Sequence, residues 1–366
     1  MKPIPLVRVS AILPLVAFLK EIGAPVQSLM TSAKMSIAVC ENPEALIPLH
    51  LALFLFEQAA RSQGIAHLGL LIGQRARFEN LGTFGRLICG SLTLFEAITR
   101  ACRLIAAHNT GERLWLKLNG GQAQLCHQYV KEIKHGRQQG DQYVLMYCQQ
   151  LLCLAAGANW RPREIHFETA SSPELTRLEP LADARVAFHQ EATALFFSPD
   201  LLSLPLKKPI RSSVLPSEAE TALWASAPAN DFPGSVRQML GMLLQEGYPN
   251  IQLAAEVAGT STRTFQRRLA AVKLSYSRLI EQVRFDKAML LLAEPHINLI
   301  EIAFELGYTE PANFTRAFRR WTGVSPRMFR HQQMEDRGGM TASHTQVMQA
   351  TGNLHYSIRD AFPGQL

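Results

Sequence analysis

Apolar residues recur at helical spacing through much of the first hundred residues. The segments 48–64 and 93–109 each place apolar side chains on one face of a helix, and the first segment ends at Gly64. Thr93 and Glu96 occupy the N-cap and N3 positions of a capping box at the start of the second segment. The pattern therefore predicts two amphipathic helices before residue 110.

The spacing changes to strict alternation after residue 112. Segments 113–119 and 122–130 alternate around Asn119-Gly120-Gly121, which favours a hairpin turn because these residues tolerate positive φ. A helix is predicted next, from about residue 142 to residue 156. Three short strands follow, within 163–169, 184–190 and 193–199. This order indicates an α+β domain, which we expect to cover residues 1–204.

Prolines interrupt the chain between residues 205 and 233. At this density they prevent a continuous helix, so we expect a linker with room for one short helix at 219–224. They are Pro205, Pro209, Pro216, Pro228 and Pro233. Residues 234–330 return to helical periodicity, and residues 331–366 form a polar tail that we expect to be poorly ordered. The second domain is therefore predicted to be all-α.

Two similar helix-turn-helix patterns lie in this all-α region. Each has a small residue in its first helix, a glycine at the turn, an N-cap residue and an i,i+4 apolar pair on the buried face of its second helix. The corresponding residues are Ala254, Gly259, Ser261, Phe265 and Leu269, then Ala303, Gly307, Thr309, Phe314 and Phe318. We expect these residues to form the scaffold of two helix-turn-helix units.

The segment 275–294 between the two units predicts one long helix. Leu279, Val283, Ala288 and Leu291 lie near one face of it. Such a helix would hold the two units at a fixed separation, which should approach one DNA repeat of about 34 Å if both units enter the same face of a duplex.

The outer faces of the two second helices are polar and basic. Such a helix fits the major groove, where arginine can bond guanine and glutamine or asparagine can bond adenine. The residues expected to face DNA are Arg263, Thr264, Gln266, Arg267, Asn313, Arg316 and Arg320. Pro311 and Ala312 cannot bond a base edge at the start of the second of these helices, so we expect weaker base reading there.

The charge distribution agrees with a polyanionic partner. The chain carries a net charge of +7, and residues 234–330 contain 13 Lys/Arg against 8 Asp/Glu. The electrostatic excess therefore falls on the helix-turn-helix region.

Residues 234–330 resemble the DNA-binding domain of the AraC/XylS family of bacterial transcription regulators. The most specific stretch is EIAFELGYTEPANFTRAFRRWTGVSPRMFR, residues 301–330. Residues 82–105 and the strands near the end of the first domain are similar to the arabinose-binding-type, ligand-sensing half of one branch of this family. The resemblance implies double-stranded promoter DNA, RNA polymerase and a small-molecule effector as partners, and a homodimer.

Three functions remain open on the sequence alone. The first is a ligand-responsive regulator, and the second is an effector-independent dimeric DNA-binding regulator. The third is an enzyme domain fused to a DNA-binding anchor, which would need an activated or metal-held cysteine. The six cysteines lie in apolar or mixed segments without metal-ligand spacing, which argues against the third: Cys40, Cys89, Cys102, Cys126, Cys148 and Cys153.

Motifs for other chemistry are missing from the sequence. No nucleophile elbow, P-loop, zinc-protease or dinucleotide motif stands in its required context, so no enzyme activity, cofactor or metal is expected. Five scattered histidines are interpreted as surface or hydrogen-bonded residues: His108, His127, His135, His166 and His189. The apolar run after Arg8 is broken by Pro14 and followed by charges, so we expect neither export nor a membrane span, and a cytoplasmic protein. The effector, the target promoter and the sign of regulation are not indicated.

Overall fold

A computed structural model describes residues 1–339 except 132, 134, 171–174, 176–177, 179–180, 208–214, 245–246 and 248. The chain forms two compact units. The N-terminal unit comprises residues 1–239 with 257–259, and the C-terminal unit comprises residues 240–256 with the described residues from 260 onward. Within this described part of the chain, the helices fall short of the length and apolarity that crossing a bilayer demands.

The N-terminal unit mixes helices with strands, as the sequence predicted, and the strands form two sheets. Its helices are α1 (Leu13–Glu21), α2 (Val26–Ser32), α3 (Leu49–Gln63), α4 (Leu68–Arg75), α5 (Gly82–Cys89), α6 (Leu94–His108), α7 (Arg137–Ala156) and α8 (Pro216–Ala225). Its strands are β1 (Leu6–Arg8), β2 (Leu46–Pro48), β3 (Glu112–Asn119), β4 (Gln122–Tyr129), β5 (Glu164–His166), β6 (Arg185–Ala187) and β7 (Thr193–Phe197).

The larger sheet has the strand order β3-β4-β7-β5-β6. Its pairs are antiparallel except β5 with β6. The predicted hairpin is confirmed, because Asn119 pairs with Gln122, and Gly120 and Gly121 take φ values of 52° and 82°. Strands β1 and β2 pair separately; at three residues each they are too short to show alternation in the sequence.

The starts of α6 and α7 differ from their predictions. Thr93 Oγ1 accepts from the Glu96 backbone N–H, as expected of an N-cap, but Glu96 Oε2 accepts from the Leu92 N–H instead of completing the box at Thr93. Helix α7 begins at Arg137, ahead of the predicted residue 142. The first turns of α7 bury polar side chains, so the helical spacing of apolar residues is not visible there. Gln139, for example, is buried; its Oε1 accepts from the Gly69 N–H and its Nε2 donates to Ala66 O.

Arg8 is a fully buried arginine on β1 that joins α6 and α8. Its Nε donates to Ala107 O at 2.9 Å, and its Nη2 donates to Leu223 O at 2.9 Å. Its Nη1 lies 3.0 Å from Glu44 Oε2. Burial lowers the pKa of Arg8, and the Glu44 carboxylate opposes that shift. The Arg8 contacts therefore hold α8, in the segment predicted as a linker, within the N-terminal unit.

The C-terminal unit is helical. The boundary at residue 239 falls within α9 (Phe232–Leu243), and no strand occurs among the described residues after it. The following helices are α10 (Ile251–Val257), α11 (Thr262–Ala271), α12 (Tyr276–Leu292), α13 (Leu299–Glu305), α14 (Pro311–Thr322) and α15 (Pro326–Gly339). The predicted polar tail thus begins inside α15, and residues 340–366 lie outside the described residues. The domain bounds 1–204, 205–233, 234–330 and 331–366 remain predictions.

Replacing Arg8 with alanine should destabilise the N-terminal unit far more than replacing Arg103. Arg8→Ala removes the donors to two buried carbonyls and the partner of Glu44, which should cost about 3 kcal/mol. Arg103→Ala is the control, because Arg103 also binds α8, through Glu220, but is exposed, and such pairs contribute about 0–1 kcal/mol. Calorimetric melting of both variants measures this, and equal shifts would contradict the role of Arg8.

Candidate functional site

The first helix-turn-helix unit consists of α10 and α11. Gly259 takes φ of 67° at the turn, and the Thr260 N–H donates to Ala255 O at 3.0 Å. Ser261 caps α11 as predicted, because its Oγ accepts from the Thr264 N–H at 3.3 Å. The predicted apolar residues Ala254, Phe265 and Leu269 are all buried. The Thr264 hydroxyl accepts from the Ser261 hydroxyl, so Thr264 takes part in the cap.

The second unit consists of α13 and α14. Gly307 takes φ of 71° at the turn, and Ala303 is buried, both as predicted. The prediction that Thr309 caps α14 is wrong: Glu310 is the N-cap residue, without a side-chain cap bond, and Pro311 begins the helix. Proline needs no N–H partner in the first turn, so this helix can start without a capping side chain.

A capping box at the start of α13 was missed in the sequence. Asn298 Oδ1 accepts from the Glu301 N–H at 2.8 Å, and Glu301 Oε2 accepts from the Asn298 N–H at 3.2 Å. The residue pattern Asn-x-x-Glu was the available signal. The box fixes the start of the helix that supports α14.

Aromatic side chains form the core beneath α14. Phe314 and Phe318 are buried with ring centroids 5.7 Å apart, as the i,i+4 spacing predicted. The cluster consists of Ala288, Leu292, Ile302, Ala303, Leu306, Phe314, Ala317, Phe318 and Trp321. Since Ala288 and Leu292 come from α12, the connecting helix is part of this core. On α12, Leu279, Val283 and Ala288 are buried as expected, whereas Leu291 is only half-buried.

Arg284 of α12 is a buried arginine that bonds the turn of the second unit. Its Nε donates to Leu306 O at 2.9 Å, and its Nη2 donates to Gly307 O at 2.8 Å. Its guanidinium lies 4.0 Å from the centroid of the Tyr308 ring. Arg284 was not predicted from the sequence, although it lies one turn from buried Ala288 on the same face. The bonds fix the turn between α13 and α14 to the connecting helix.

The outer face of α11 presents three predicted contact residues to solvent. Arg263, Gln266 and Arg267 are exposed. The first two lie one turn apart, and Arg267 follows Arg263 at i+4, so the three side chains share one side of the helix. This face is therefore open to a duplex.

The outer face of α14 is partly engaged within the protein. Arg316 is exposed and donates to Asn313 Oδ1. Arg320 is exposed but pairs with Glu281 of α12 at 2.5 Å. Pro311 is half-buried and Ala312 is exposed. The second unit therefore offers fewer independent side chains to a ligand than the first.

A cavity of about 80 Å³ lies inside the N-terminal unit. Its lining comes mainly from α3, α5, α6, α7 and the strands β1, β3 and β4, and most of it is apolar or aromatic. Two of the scattered histidines, His108 and His127, are buried and line it, whereas His135 and His189 are exposed. No spacing in the sequence indicates that these two histidines come together, because one ends a helix and the other lies on a strand.

The cysteines show no sign of activation. Burial raises the pKa of all six thiols, to about 12 in Cys89 and about 11 in Cys102 and Cys126. Thiolate is therefore scarce at neutral pH. Among the described residues, no group of three or more His, Cys, Asp or Glu could hold a metal ion.

Comparison with known proteins agrees with this two-part architecture. Residues 23–206 match the arabinose-binding domain of AraC transcription regulator, N-terminal, and residues 254–332 match a helix-turn-helix domain. The chain belongs to the AraC-type transcription regulators. It is a DNA-binding regulator with an N-terminal domain of the arabinose-binding type, which names a fold family and not a ligand.

The relatives of this AraC-type chain include full-length and partial matches. The ornithine utilization regulator of Pseudomonas aeruginosa is 26% identical over 89% of this chain and 96% of its own. The transcriptional regulator VirS of Mycobacterium tuberculosis is 41% identical over 24% of this chain and 26% of its own. Among solved structures, the transcriptional regulator CdpR from P. aeruginosa is 18% identical, covers 87% of this chain and 96% of its own, and gives a TM-score of 0.39.

Arg284→Lys should weaken DNA binding although Arg284 lies buried behind the turn. Lysine keeps the charge but cannot bond two carbonyls in the same fork, so one of them loses its donor at a cost of about 1–3 kcal/mol. Arg278→Lys on the exposed side of the same helix is the control. Melting and DNA titration of both variants measure this; an Arg284→Lys variant that matches Arg278→Lys in both would contradict the account.

Proposed function

We propose that α11 and α14 enter the major groove of double-stranded promoter DNA at two places on one face of the duplex. The observation that carries the proposal is the pair of helix-turn-helix units, each with arginines on the outer face of its second helix. Helix α12 joins them and has 17 residues, which corresponds to about 26 Å. With the turns at its ends, that length suits neighbouring major grooves about 34 Å apart.

Helix α11 is the base-reading helix in this proposal. Exposed Arg263 and Arg267 suit guanine, whose O6 and N7 both accept hydrogen bonds, and Gln266 suits adenine. Ser261 Oγ accepts from the Thr264 N–H, and the other N–H groups at the start of α11 would suit a duplex phosphate. The charge of Arg268 and Lys273 on the same unit adds affinity without sequence preference.

In this proposal, helix α14 contributes mainly phosphate contacts and less base recognition. Asn313 needs both its carbonyl and its amide to recognise adenine, but Arg316 already occupies the carbonyl. The pair then offers only N–H donors, which suit guanine or phosphate oxygens. Arg320 is held by Glu281 and would add a phosphate contact near α12.

The N-terminal unit supplies the regulation in this proposal. The cavity favours a small effector over a solid domain that only dimerises. An effector changes DNA binding only by binding one arrangement of the protein better than another. The buried thiols favour binding over catalysis, so we infer a regulator without enzyme activity that acts in the cytoplasm, where its DNA is.

RNA polymerase and a second copy of the chain are the protein partners that we propose. Ile300 and Phe304 lie one turn apart on α13 and are 56% and 52% exposed, which suits contact with another protein. Strand β3 is at the edge of its sheet, and Leu118 on it is 57% exposed. An edge strand suits pairing with a second copy.

Arg267→Ala and Arg316→Ala should weaken DNA binding in different ways. Arg267→Ala should cost about 1–3 kcal/mol on a DNA site selected from a random library and relax one base position, with little loss on scrambled DNA. Arg316→Ala should weaken binding to both DNAs, because a phosphate contact carries no sequence information. Fluorescence anisotropy at fixed salt measures all four affinities.

The control is Arg77→Ala, which removes an exposed arginine of the N-terminal unit and should leave both affinities unchanged. An equal loss on selected and scrambled DNA for Arg267→Ala would overturn the assignment of α11 as the base-reading helix.

A further inference from the structure

The cavity of the N-terminal unit has a polar end built around Glu112. Glu112 lines the cavity with a side chain that is 7% exposed, and its Oε2 lies 2.9 Å from His127 Nε2. His127 also lines the cavity, and its Nδ1 lies 3.9 Å from Asp141 Oδ1 on α7. A carboxylate is thus presented to an otherwise mostly apolar space.

The charges at this end do not balance at neutral pH. Behind His127, Asp141 is close to the pair of Arg137 with Glu168, whose charged atoms lie 2.6 Å apart. Three carboxylates lie here, those of Glu112, Asp141 and Glu168. They outnumber the cations even if His127 is counted as one beside Arg137. The neighbouring pair of Arg8 and Glu44 is balanced by itself. Burial raises the pKa of Asp141 to about 6, and the neighbouring His127 and Arg137 oppose that shift.

His108 gives a second, independent sign of a ligand. It lines the same cavity, is 3% exposed, and its Nδ1 has no hydrogen-bond partner among the described residues. Burial lowers the pKa of His108 to about 4, so the ring is neutral and has one acceptor nitrogen. Buried polar atoms in native proteins almost always have a hydrogen-bond partner, so an unpartnered one indicates a group that a ligand could bond.

We propose that this cavity binds a small organic ammonium ion, whose N–H groups bond Glu112 and whose short apolar body contacts the aromatic wall. This rests on the proposed effector function and names the chemical class of the effector. The ammonium supplies a balancing positive charge, and the aromatic side chains Phe56 and Tyr129 line the same space, where a cation–π contact would favour a cation. The volume of about 80 Å³ limits the ligand to a few heavy atoms.

Other ligand classes fit the cavity less well. An anion would meet the excess of carboxylates. A neutral alcohol could bond Glu112 but would leave the charge unbalanced. A metal ion lacks a set of ligands among the described residues, and the apolar walls cannot replace its hydration shell.

The test compares three probes of one shape and different charge on the full-length chain. Propylammonium, propan-1-ol and propionate are titrated at neutral pH and followed by ligand-observed NMR. We expect propylammonium to bind at least about tenfold more tightly than propan-1-ol, and propionate to bind most weakly. Equal affinities for propylammonium and propan-1-ol would overturn the proposal, and so would binding of none of the three.

Two variants locate the binding. Glu112→Gln should weaken propylammonium binding about tenfold and leave propan-1-ol binding unchanged, whereas Glu191→Gln, at an exposed site before β7, should change neither. Ala52→Leu fills the cavity and should abolish both. Propylammonium binding that survives Glu112→Gln at full strength would overturn the proposal; if that variant does not fold, the charge series on the unaltered protein decides.

DNA titration of the same preparations separates this proposal from the proposed function. Protein that binds its selected DNA site but does not prefer propylammonium refutes the ligand class alone. Protein that prefers propylammonium but has no selective DNA site supports the ligand class and refutes the proposed function.

Discussion

The buried guanidinium of Arg284 is the interaction on which the second DNA-binding unit depends. A charge in that position is tolerated only because Leu306 O, Gly307 O and the Tyr308 ring surround it. These contacts fix the turn before α14 to α12, and the pairs Arg320–Glu281 and Lys287–Glu305 add further links to the same helix. Helix α12 therefore sets the direction of α14, and its own start bonds Pro249 through the Tyr276 hydroxyl.

Buried charged groups have different surroundings in the N-terminal unit and in the C-terminal unit. In the C-terminal unit, Arg284 meets two carbonyls and a ring, and its site is complete. In the N-terminal unit, the carboxylates of Glu112 and Asp141 share His127 beside a cavity. A site filled by the protein's own groups stabilises one conformation, whereas a cavity can be stabilised further by a ligand. The contrast agrees with a rigid DNA-binding unit and a ligand-responsive sensor.

Local signals in the sequence predicted most of the fold and the scaffold of the site. Gly259 and Gly307 take positive φ, Ser261 caps α11, and the hairpin at residues 119–122 forms, because each depends on near neighbours. Features that depend on distant residues were missed or wrong. The sequence does not show that the Arg284 side chain donates to the carbonyls of residues 306 and 307. The cap expected at Thr309 does not form, because Pro311 begins α14 and Glu310 is its N-cap residue.

The spacing of the two DNA contacts shows whether α12 and Arg284 hold α11 and α14 in one fixed arrangement. Missing-base footprinting of the full-length chain on a selected DNA site measures this spacing. We expect each bound copy to need bases in two major-groove patches about 10 bp apart, and Arg284→Lys to lose the patch of α14. A single patch, or two patches whose spacing varies between selected sites, would contradict it.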